Sequence, residues 1–441
     1  MALLSGTRST DLWLTPALGN LAGRRAAILG IHLRIASHRK ETWGAMSVTG
    51  NVADAHFPAA SRLWDGLVVL CAANNYDGTR MSDWHLAEHL SKLAPVLYVD
   101  PPLSRLTPSR HPETAGALRS PRLRLQRPGL ARLTPVVQPF PSRRGMTGVT
   151  SAVTRGHLRR ATARLGGRVR AVISSWPLYP VFGSCGEQTR VYWAKDDFVG
   201  GAALLGLNAK LVDGLERRVA ASASLVVVAS PVVADTWLSR GLDPVLIPFG
   251  TDVDAYLGIE DAPLPSDVDL PGPVAGVVGR INDRTDLSLL EAIADRGQSL
   301  LLVGRKDAEF EPDRFDALRR RRNVCWVGPK PADALPSYLR VMDVGLVPYR
   351  DSPFNRGSFP LKTLEYLAAG RAVVATDLPA IRWLATDLVR IATGPSSFAD
   401  QVDRLLAQPR TPAAAAQRRE FAAQHSWARR AADIHHAIAG D

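Results

Sequence analysis

Cysteines and long apolar runs are both scarce in this chain of 441 residues. The three cysteines, Cys71, Cys185 and Cys325, lie far apart without C-x-x-C spacing, so the sequence predicts neither a disulfide framework nor a cysteine zinc site. A reducing compartment is the simpler expectation. The longest apolar runs, such as 66–73 and 225–229, are much shorter than the ~18 residues that cross a bilayer. We therefore expect no transmembrane helix.

Acidic residues are scarce in one part of the chain only. The net charge is +12, and residues 102–170 contain 15 arginines, no lysine and a single acid, Glu113, whereas residues 263–441 are nearly neutral. Proteins that bind single-stranded nucleic acids stack bases on aromatic rings, and Phe140 is the only aromatic residue in 102–170. The stretch therefore predicts an anionic membrane surface as partner rather than nucleic acid, with a solvated basic face as the open alternative.

Short apolar runs alternate with helix-length amphipathic segments from about residue 67 onward. This alternation is typical of parallel sheets built from βα units. Two series of strands are separated by Asp261–Pro273, where four prolines in thirteen residues indicate an interdomain hinge. We predict an α/β protein with two Rossmann-like doubly wound domains that face each other across a cleft. The predicted units are a poorly structured N-terminal extension over 1–60, a first domain over 61–262, a second domain over 271–424, and a C-terminal helix over 425–441 that packs back towards the first domain.

Thirteen strands are expected in these two series. They lie at Leu67–Ala72, Val96–Val99, Leu133–Gln138, Ala171–Ser174, Arg190–Trp193, Leu225–Ala229 and Val245–Pro248, and then at Val274–Val278, Leu300–Val303, Val324–Val327, Val344–Val347, Ala372–Ala375 and Val389–Ala392. Ligands of open α/β sheets bind beyond the carboxyl ends of the strands. The loops after these strands are therefore where chemistry is expected.

The loop after the first strand of the second domain predicts an anion site. Gly279 ends the strand, and Arg280 and Arg284 lead into a predicted helix. Backbone N–H groups at a helix N-terminus bind anions, and arginines add charge-assisted contacts to a diphosphate. An ordinary βα turn with surface arginines is the open alternative.

A second candidate lies on a predicted helix that begins near Ser358 and ends before Gly370. Lys362 and Glu365 are three residues apart, one turn inside this helix. They are placed to offer a cation to a phosphate and a carboxylate to a pair of ribose hydroxyls. A solvent-facing ion pair, worth about 0.2–0.5 kcal/mol, is the alternative.

Polar residues also follow two strands of the first domain. The loop after its first strand, Asn74, Asn75, Tyr76, Asp77 and Gly78, is expected to point into the cleft. Asp196 and Asp197 follow a later strand, and Asp197 is the better candidate for positioning a substrate hydroxyl. A turn without function and a helix-capping aspartate are the respective alternatives.

One motif points to a metal. Residues 85–89 match H-x-x-E-H, a zinc-protease pattern in which two histidines share one helix face. Such a site needs a third, acidic ligand, and the only glutamates between residues 90 and 215 are Glu113 and Glu187, neither in a helical acidic context. We predict partly exposed polar residues on the first helix and no metal site.

Several motifs in register resemble the glycosyltransferase family 4 enzymes of GT-B fold, and the teichuronic-acid-biosynthesis type most of all. They are "VLYVDPP", "VYWAKDDF" and "VLIPFGTDVDAY" in the first domain, and "GRINDRTD", "NVCWVGP", "FPLKTLEYLAAGRAVVAT" and "HSWARRA" after it. The resemblance extends from about Leu67 to the end. It implies retaining transfer of a sugar from a nucleotide-sugar donor, held by the second domain, to an acceptor held by the first, without a metal or other cofactor.

The resemblance also implies roles for individual residues. Arg280 corresponds to an arginine that contacts the donor diphosphate and Glu365 to a carboxylate on the ribose, while Lys362 is a phosphate partner. The expected donor site comprises Gly279, Arg280, Arg284, Lys362, Glu365 and Tyr366, and the expected catalytic residues are Arg280, Lys362 and Asp197. No dedicated protein base is required, because the leaving phosphate assists deprotonation and the cations stabilise the departing diphosphate.

Two positions depart from the family pattern. Gly357 stands where many members carry a glutamate, and Asp286 stands where many carry a lysine. The first departure concerns contact with the transferred sugar and the second concerns neutralisation of the diphosphate. The Gly357 departure leaves a degenerate, non-catalytic homologue as an alternative to a hexosyl-type glycosyltransferase. A nucleotide-sugar epimerase is a second alternative, because such enzymes also use two facing Rossmann-like domains.

The acceptor is expected to be lipid-linked or a cell-envelope glycan. This expectation rests on the arginine-rich stretch 102–170, because that stretch belongs to the acceptor domain. It places the protein in the cytoplasm, peripherally associated with the inner face of the plasma membrane.

Overall fold

The computed structural model describes residues 63–440 except Arg110, Ser142, Arg144 and Leu205. The extension predicted over 1–60 lies outside the described residues. The remainder contains two separate sheets, each accompanied by helices. The α/β class predicted from the sequence is therefore confirmed.

The first sheet has eight strands in the order β3-β4-β2-β1-β5-β6-β7-β8. Their bounds are β1 Leu67–Cys71, β2 Val96–Val99, β3 Leu123–Arg127, β4 Leu130–Leu133, β5 Val169–Ser174, β6 Thr189–Ala194, β7 Leu225–Val228 and β8 Val245–Leu246. All neighbours are parallel except β3 and β4, which form an antiparallel edge hairpin. The helices of this region are α1 Ser82–Leu90, α2 Ala115–Arg119, α3 Thr147–Leu165, α4 Ala209–Ser222 and α5 Pro231–Ser239.

The edge hairpin is where the strand predictions fail. The strand expected at Leu133–Gln138 ends at Leu133, and β3 was not expected at all. The sequence of β3, LRLQR, alternates and is only partly buried, so it lacks the continuous apolar run of a buried parallel strand. After Leu133 the chain meets Pro135 and makes only an isolated bridge from Val136 to Leu103.

The second sheet has six parallel strands in the order β11-β10-β9-β12-β13-β14. Their bounds are β9 Val274–Val278, β10 Ser299–Val303, β11 Val324–Trp326, β12 Val344–Val347, β13 Ala372–Thr376 and β14 Val389–Ala392. Each predicted strand of this series is confirmed to within one residue at either end. The strand order reverses direction between β9 and β12, so a crevice opens at their carboxyl ends.

Nine helices accompany the second sheet or follow it within the described residues. They are α6 Leu287–Asp295, α7 Pro312–Arg319, α8 Leu335–Val341, α9 Pro353–Gly357, α10 Leu361–Ala368, α11 Pro379–Trp383, α12 Pro395–Leu406, α13 Pro412–Gln424 and α14 Trp427–Ala439. In the part of the chain that the structure describes, no helix is both long and apolar enough to span a membrane.

The two sheets share an apolar core. Helix α14 returns to the first sheet, where Trp427 stacks on His85 of α1 with ring centres 5.5 Å apart. Phe359, just before α10, and Leu364 within it belong to the same buried cluster as the residues of β1 and α1. The segment between the sheets is held on the second one, since Asp267 accepts a hydrogen bond from Lys330 Nζ at 2.6 Å. The opposed carboxyl edges are therefore held together by packing.

A buried carboxyl in the first domain makes stability depend on pH. Glu216 of α4 is 4 % exposed and accepts a hydrogen bond of 2.6 Å from the Tyr192 hydroxyl on β6. Burial raises the pKa of Glu216 to about 7, although Tyr192 and Arg240 act in the opposite direction. The unfolded chain has an ordinary glutamate pKa near ~4.3. The stabilisation is therefore complete below that pH and is lost as the pH rises through 7.

We predict that Glu216→Gln removes this pH dependence, because the glutamine side chain does not ionise. Its amide oxygen still accepts the Tyr192 hydrogen bond, so the local contact is kept. Between pH 4.5 and 8, the free energy of unfolding of the wild type should fall relative to that of the variant by about 3 kcal/mol. Urea titrations at both pH values measure the difference. Glu420→Gln, at an exposed acid, is the matched control and should run parallel to the wild type. Parallel behaviour of Glu216→Gln as well would contradict the prediction.

Candidate active site

Two glycines at the carboxyl ends of β9 and β10 lie with their backbones in close contact. Gly279 and Gly304 have φ values of 153° and 146°, which non-glycine residues rarely adopt. A Cβ on Gly304 would lie 1.8 Å from the Gly279 carbonyl oxygen, so a side chain cannot be accommodated there. Two residues after each glycine, Ile281 and Lys306 form a parallel β-bridge. The loop predicted to bind an anion is therefore closely packed against its neighbour.

The two arginines of this loop differ in how firmly they are held. Arg280 is 61 % exposed and its Nε donates to Asp307 Oδ1 at 2.6 Å. Arg284 Nε donates to Asn355 Oδ1 at 2.8 Å. Its guanidinium also lies over the rings of Tyr349 and Phe354, at 4.7 and 4.9 Å from their centres. Arg284 is therefore fixed in place, whereas Arg280 is free to exchange its partner.

The structure brings Lys362 and Glu365 to the glycine turn. Lys362 Nζ lies 2.5 Å from Glu365 Oε2, and both side chains are mostly buried. A Cβ on Gly279 would be 3.8 Å from Lys362 Cε, so two motifs separated by about eighty residues meet at one place. Tyr256 is close enough to Glu365 for the carboxylate charge to act on its hydroxyl. The pKa of the Tyr256 hydroxyl is raised by burial and by the Glu365 charge.

Two residues of this cluster were not predicted from the sequence. Tyr256 lies in a short 3-10 turn before the interdomain segment. His85 is half-buried on α1 within range of the charges of Asp252 and Glu365, although burial dominates and lowers its pKa. His85 is partly exposed, as the sequence predicts. Its helical spacing gives no signal of the Trp427 ring that stacks on it.

The H-x-x-E-H residues have separate partners. Glu88 accepts a 2.5 Å hydrogen bond from the Tyr76 hydroxyl and pairs with Arg127 at 2.8 Å, while His85 stacks on α14. In the described part of the chain, no group of three or more histidine, cysteine or acidic residues is arranged to hold a metal ion.

Tyr366 lies away from the cleft. It is 1 % exposed, and its hydroxyl accepts a hydrogen bond of 2.8 Å from the Val278 N–H. Its ring covers Gly345 so closely that a Cβ there would be 2.3 Å from the ring. Tyr366 therefore supports β9 from within the core, and the expectation that it contacts a ligand directly is corrected.

The loop after β1 is tied to the sheet by charged and polar residues. Its Tyr76 N–H donates to Asp100 Oδ1 at 2.9 Å, and Asp77 pairs with Arg132 at 2.7 Å. Arg132, itself 1 % exposed, also pairs with Asp100 at 2.8 Å. The remaining contacts of the loop are Asn74 Nδ2 to Asp83 at 3.0 Å, the Tyr98 hydroxyl to the Asn74 carbonyl at 2.6 Å, and Gly78 N–H to the Asn75 carbonyl at 3.0 Å.

These contacts change the expectation for the arginine-rich stretch 102–170. Arg132 and Arg127 neutralise carboxylates inside the first domain, and Arg124 lies 4.0 Å from Asp77. Arg124 and Arg132 therefore pair with the cleft loop, and Arg127 pairs with Glu88 of α1, so all three are engaged within the first domain.

Asp197 lies at the boundary between the two domains. Its Oδ1 accepts a hydrogen bond of 2.8 Å from the Gly200 N–H, and a Cβ on Gly357 would lie 2.6 Å from Asp197 Cβ. The Gly357 carbonyl accepts a 2.6 Å hydrogen bond from Ser230 Oγ. Next to it, a Cβ on Gly201 would lie 2.5 Å from the Phe354 ring. The missing side chain at 357 is therefore what lets the first domain approach α9.

The second departure from the family pattern also has a structural role. Asp286 is the N-cap of α6, and its Oδ1 accepts hydrogen bonds from the Ser288 N–H at 3.0 Å and the Ser288 hydroxyl at 2.6 Å. Asp286 thus stabilises the start of α6, and Gly357 allows the close packing at the domain boundary.

A cavity of about 870 Å³ lies at the carboxyl ends of β12, β13 and β14, against α5. Asp351, Arg356, Asp377, Arg382 and Trp383 are among its lining residues. It adjoins the cluster described above through Tyr349, which lies beneath Arg284. None of the residues predicted to bind the donor lines it.

Comparisons with known proteins agree with this architecture. Residues 272–408 match the family described as glycosyl transferases group 1. TuaH of Bacillus subtilis, provisionally named a teichuronic acid biosynthesis glycosyltransferase, is 29 % identical over 220 residues, which make up 46 % of this chain and 55 % of that protein. The match thus spans about half the length of this curated relative. The predicted resemblance to family 4 glycosyltransferases is confirmed.

Solved structures with low sequence identity share the fold. Sucrose-phosphate synthase from Thermosynechococcus elongatus superposes with a TM-score of 0.64 at 16 % identity, over 85 % of this chain and 98 % of that one. HepE from Anabaena, solved in complex with UDP and glucose, gives 0.56 at 15 % identity over 85 % and 99 %. An Escherichia coli trehalose-6-phosphate protein bound with UDP-2-fluoro glucose gives 0.60 at 12 % identity over 84 % and 98 %. The fold is GT-B, as the sequence predicts.

We predict that Gly357→Ala destabilises the protein, because the new methyl group meets Asp197 Cβ. The expected loss is about 1–3 kcal/mol, the usual range for overpacking. Gly214→Ala is the matched control, since a Cβ at this exposed helical glycine meets no atom within 4 Å. Urea unfolding measures both variants.

A double-mutant cycle identifies the cause of this loss. In an Asp197→Gly background the same Gly357→Ala substitution should cost less, because neighbouring substitutions that share a contact are not additive. An equal cost in both backgrounds would show that the domain boundary is not packed as described.

Proposed function

We propose that the chain is a nucleotide-sugar-dependent glycosyltransferase (EC 2.4) of hexosyl type. The observation that carries the proposal is the convergence of Gly279, Arg280, Lys362 and Glu365 at the crevice of the second sheet. Cations and a glycine turn for a diphosphate lie beside a carboxylate that suits the two hydroxyls of a ribose. The match to the group 1 family and the UDP and UDP-sugar complexes of structural neighbours support it.

Binding of the donor requires two ion pairs to exchange partners. Lys362 pairs with Glu365, and Arg280 pairs with Asp307. The donor's diphosphate takes both cations, and its ribose hydroxyls donate to the Glu365 carboxylate. Arg284, already fixed by Asn355, faces the charge that develops on the leaving diphosphate. Such preorganised electrostatic stabilisation supplies most of the rate in reactions of this kind.

The transfer is proposed to occur with retention of configuration, and the acceptor is proposed to be lipid-linked or a cell-envelope glycan. The loop over residues 74–78, held rigid by Asp100 and Arg132, faces the acceptor. A rigid loop lowers the ordering cost of binding.

We predict that one nucleotide among UDP, GDP, ADP and dTDP, with its sugar derivatives, raises the melting temperature of the protein. A ligand at 100 times its dissociation constant stabilises the folded state by about 2.7 kcal/mol. Glu365→Ala should abolish the shift, since the ribose hydroxyls lose their acceptor. Glu420→Ala is the control and should keep it.

Three outcomes would contradict this proposal. A shift that persists in the double variant Arg280→Ala, Glu365→Ala would place the donor elsewhere. No shift with any nucleotide would favour the degenerate homologue, and conversion of a bound nucleotide sugar to its epimer without transfer would favour the epimerase.

We also propose that the first domain docks on an anionic membrane surface, at the inner face of the plasma membrane. Exposed apolar side chains alternate with exposed arginines between residues 105 and 149. They are Arg105, Leu106, Arg119, Leu125, Phe140, Arg143 and Val149, and the apolar members are between 46 % and 50 % exposed. Apolar side chains that enter the headgroup region, with arginines beside lipid phosphates, are the physical basis of peripheral binding.

We predict that the protein sediments with vesicles containing phosphatidylserine and is released by salt. Each arginine near an anionic surface contributes about 1 kcal/mol, so Arg143→Ala should weaken binding about fivefold, and Phe140→Ser should also weaken it. Leu264→Ser, at a residue 66 % exposed in the interdomain segment, is the matched control. Binding that is indifferent to lipid charge and to salt would remove the basis of the proposal.

A further inference from the structure

Four arginines gather around one glutamate near the C-terminal end of α10. These four residues, called the arginine cluster below, are Arg371 before β13, Arg410 before α13, and Arg418 and Arg419 within α13. The glutamate is Glu260, in a short 3-10 turn that leads into the interdomain segment. Residues 263–441 are nearly neutral as a whole, so the cluster is a local concentration of positive charge on the second domain.

Glu260 engages only one member of the arginine cluster at a normal distance. Arg371 Nη1 donates to Glu260 Oε1 at 2.9 Å. By contrast, Arg410 Nη2 and Arg419 Nη2 lie 3.4 and 3.5 Å from the Glu260 oxygens, whereas charge-assisted hydrogen bonds are usually about 2.7–2.9 Å long. The side chains of Arg410 and Arg419 are 32 % and 30 % exposed. Both are therefore open to solvent and only weakly matched by the carboxylate.

Main-chain carbonyls near the C-terminal ends of α8 and α10 supply most of the other contacts. They run from Arg371 Nε to Leu339 at 2.8 Å, from Arg410 Nη1 to Arg340 and Met342 at 3.1 and 3.2 Å, and from Arg418 Nη1 to Gly370 at 3.1 Å. These hydrogen bonds fix the guanidinium groups in place. A carbonyl carries only a partial charge, so they do not neutralise the cations.

Other acidic partners are few. Asp343 Oδ1 lies 3.8 Å from Arg410 Nη1, and its second oxygen already accepts the Val274 N–H at 2.8 Å. Burial alone lowers the pKa of Arg418, and no acid among the described residues acts on it. The arginine cluster therefore carries more positive charge than Glu260 and Asp343 offset.

Arg371 is the buried member of the cluster. Its side chain is 0 % exposed, and in the part of the chain that the structure describes its Nη2 has no hydrogen-bond partner. Burial lowers the pKa of Arg371, the Glu260 hydrogen bond raises it, and the charges of Arg410 and Arg419 lower it again. The arginines thus repel one another across a buried cation, an arrangement that an additional anion would relieve.

From these contacts we infer that the arginine cluster binds a phosphate group of a small soluble molecule. The Glu260 carboxylate marks the position, because its two oxygens already receive three guanidinium groups. A phosphate group brings three acceptor oxygens and nearly two negative charges. It can bond Arg410 and Arg419 at normal distances while Arg371 keeps Glu260.

The proposed phosphate site is separate from the donor site and goes beyond the proposed function. Lys362 lies at the beginning of α10 and Gly370 just after its end, about 12 Å apart at 1.5 Å per residue. Gly370 also gives the cluster room, since a Cβ there would lie 3.0 Å from Arg419 Nη2. One helix therefore has cations for an anion at each end.

The test is calorimetric titration with inorganic pyrophosphate. The background is the double variant Arg280→Ala, Lys362→Ala, because the donor site is also proposed to take a diphosphate. This background should bind pyrophosphate. Adding Arg410→Ala and Arg419→Ala should weaken binding by about 10²-fold, since each charged hydrogen bond contributes roughly tenfold. Arg404→Ala, at an exposed arginine of α12, is the matched control and should leave binding unchanged.

Glu260→Gln separates a binding role from a structural one. In the same background it should tighten pyrophosphate binding about fivefold, because a like charge about 4 Å from the anion is removed. If the arginines only hold Glu260 and the helix ends, this variant loses stability and gains no affinity for pyrophosphate, which would overturn the inference.

Three further results would overturn the inference. One is no binding of pyrophosphate by the background, or binding that survives Arg410→Ala with Arg419→Ala. Another is an equal response to chloride at matched ionic strength, which would indicate general screening. The third is loss of binding to phosphatidylcholine–phosphatidylserine vesicles in the Arg410→Ala, Arg419→Ala variant, because the cluster would then face lipid. All three leave the proposed function standing, since its own test is the nucleotide-dependent thermal shift and the loss of that shift in Glu365→Ala.

Discussion

The contact on which the cleft depends is the close approach of Asp197 to the bare backbone of Gly357. No side chain fits between them, and the Ser230 hydroxyl bonds the Gly357 carbonyl at the same point. Because interiors are close-packed, a single methyl group there must move one domain against the other. Gly357 stands where the family pattern has a functional glutamate. Its missing side chain therefore also sets how closely the two domains approach each other.

Charged residues beneath the cleft make its floor rigid. Lys195 and Asp83 form a buried pair, and Arg132 joins Asp77 to Asp100. Removing one partner of such a pair leaves an uncompensated buried charge, which costs several kcal/mol. Substitutions in these pairs are therefore expected to destabilise the protein. The pairs also hold the loop after β1 and the turn after β6 in fixed positions. The apolar core that runs from β1 to α10 and α14 adds rigidity from the other side.

The sequence predicts much of the fold because the second sheet is buried on both faces. Its strands form continuous apolar runs bounded by turn residues, so they are located to within a residue. Strand β3 of the edge hairpin has no such apolar run, so the sequence does not predict it. Within the site, Gly279, Lys362 and Glu365 could be predicted, since each follows from a local pattern of strand, glycine and helix turn.

The rest of the site depends on contacts between distant parts of the chain. Tyr366 occupies the helix face next to Glu365, and only the tertiary structure shows that β9 covers this face. The Glu365 charge acts on His85 and Tyr256, which belong to elements far away in sequence. Asp197 and Gly357 are 160 positions apart, and nothing local to either residue indicates their contact.

The two ion pairs of the candidate site also influence which ligand it binds. Arg280 and Lys362 are each matched with a carboxylate, so an anion that takes a cation leaves Asp307 or Glu365 without a partner. An unpaired carboxylate in a partly buried site is costly, and simple phosphate has no group to offer it. A nucleoside diphosphate provides phosphate oxygens for the cations and a ribose diol for Glu365 together. These two ion pairs thus favour a ligand that carries both an anion and a diol over the inorganic anions of the cell.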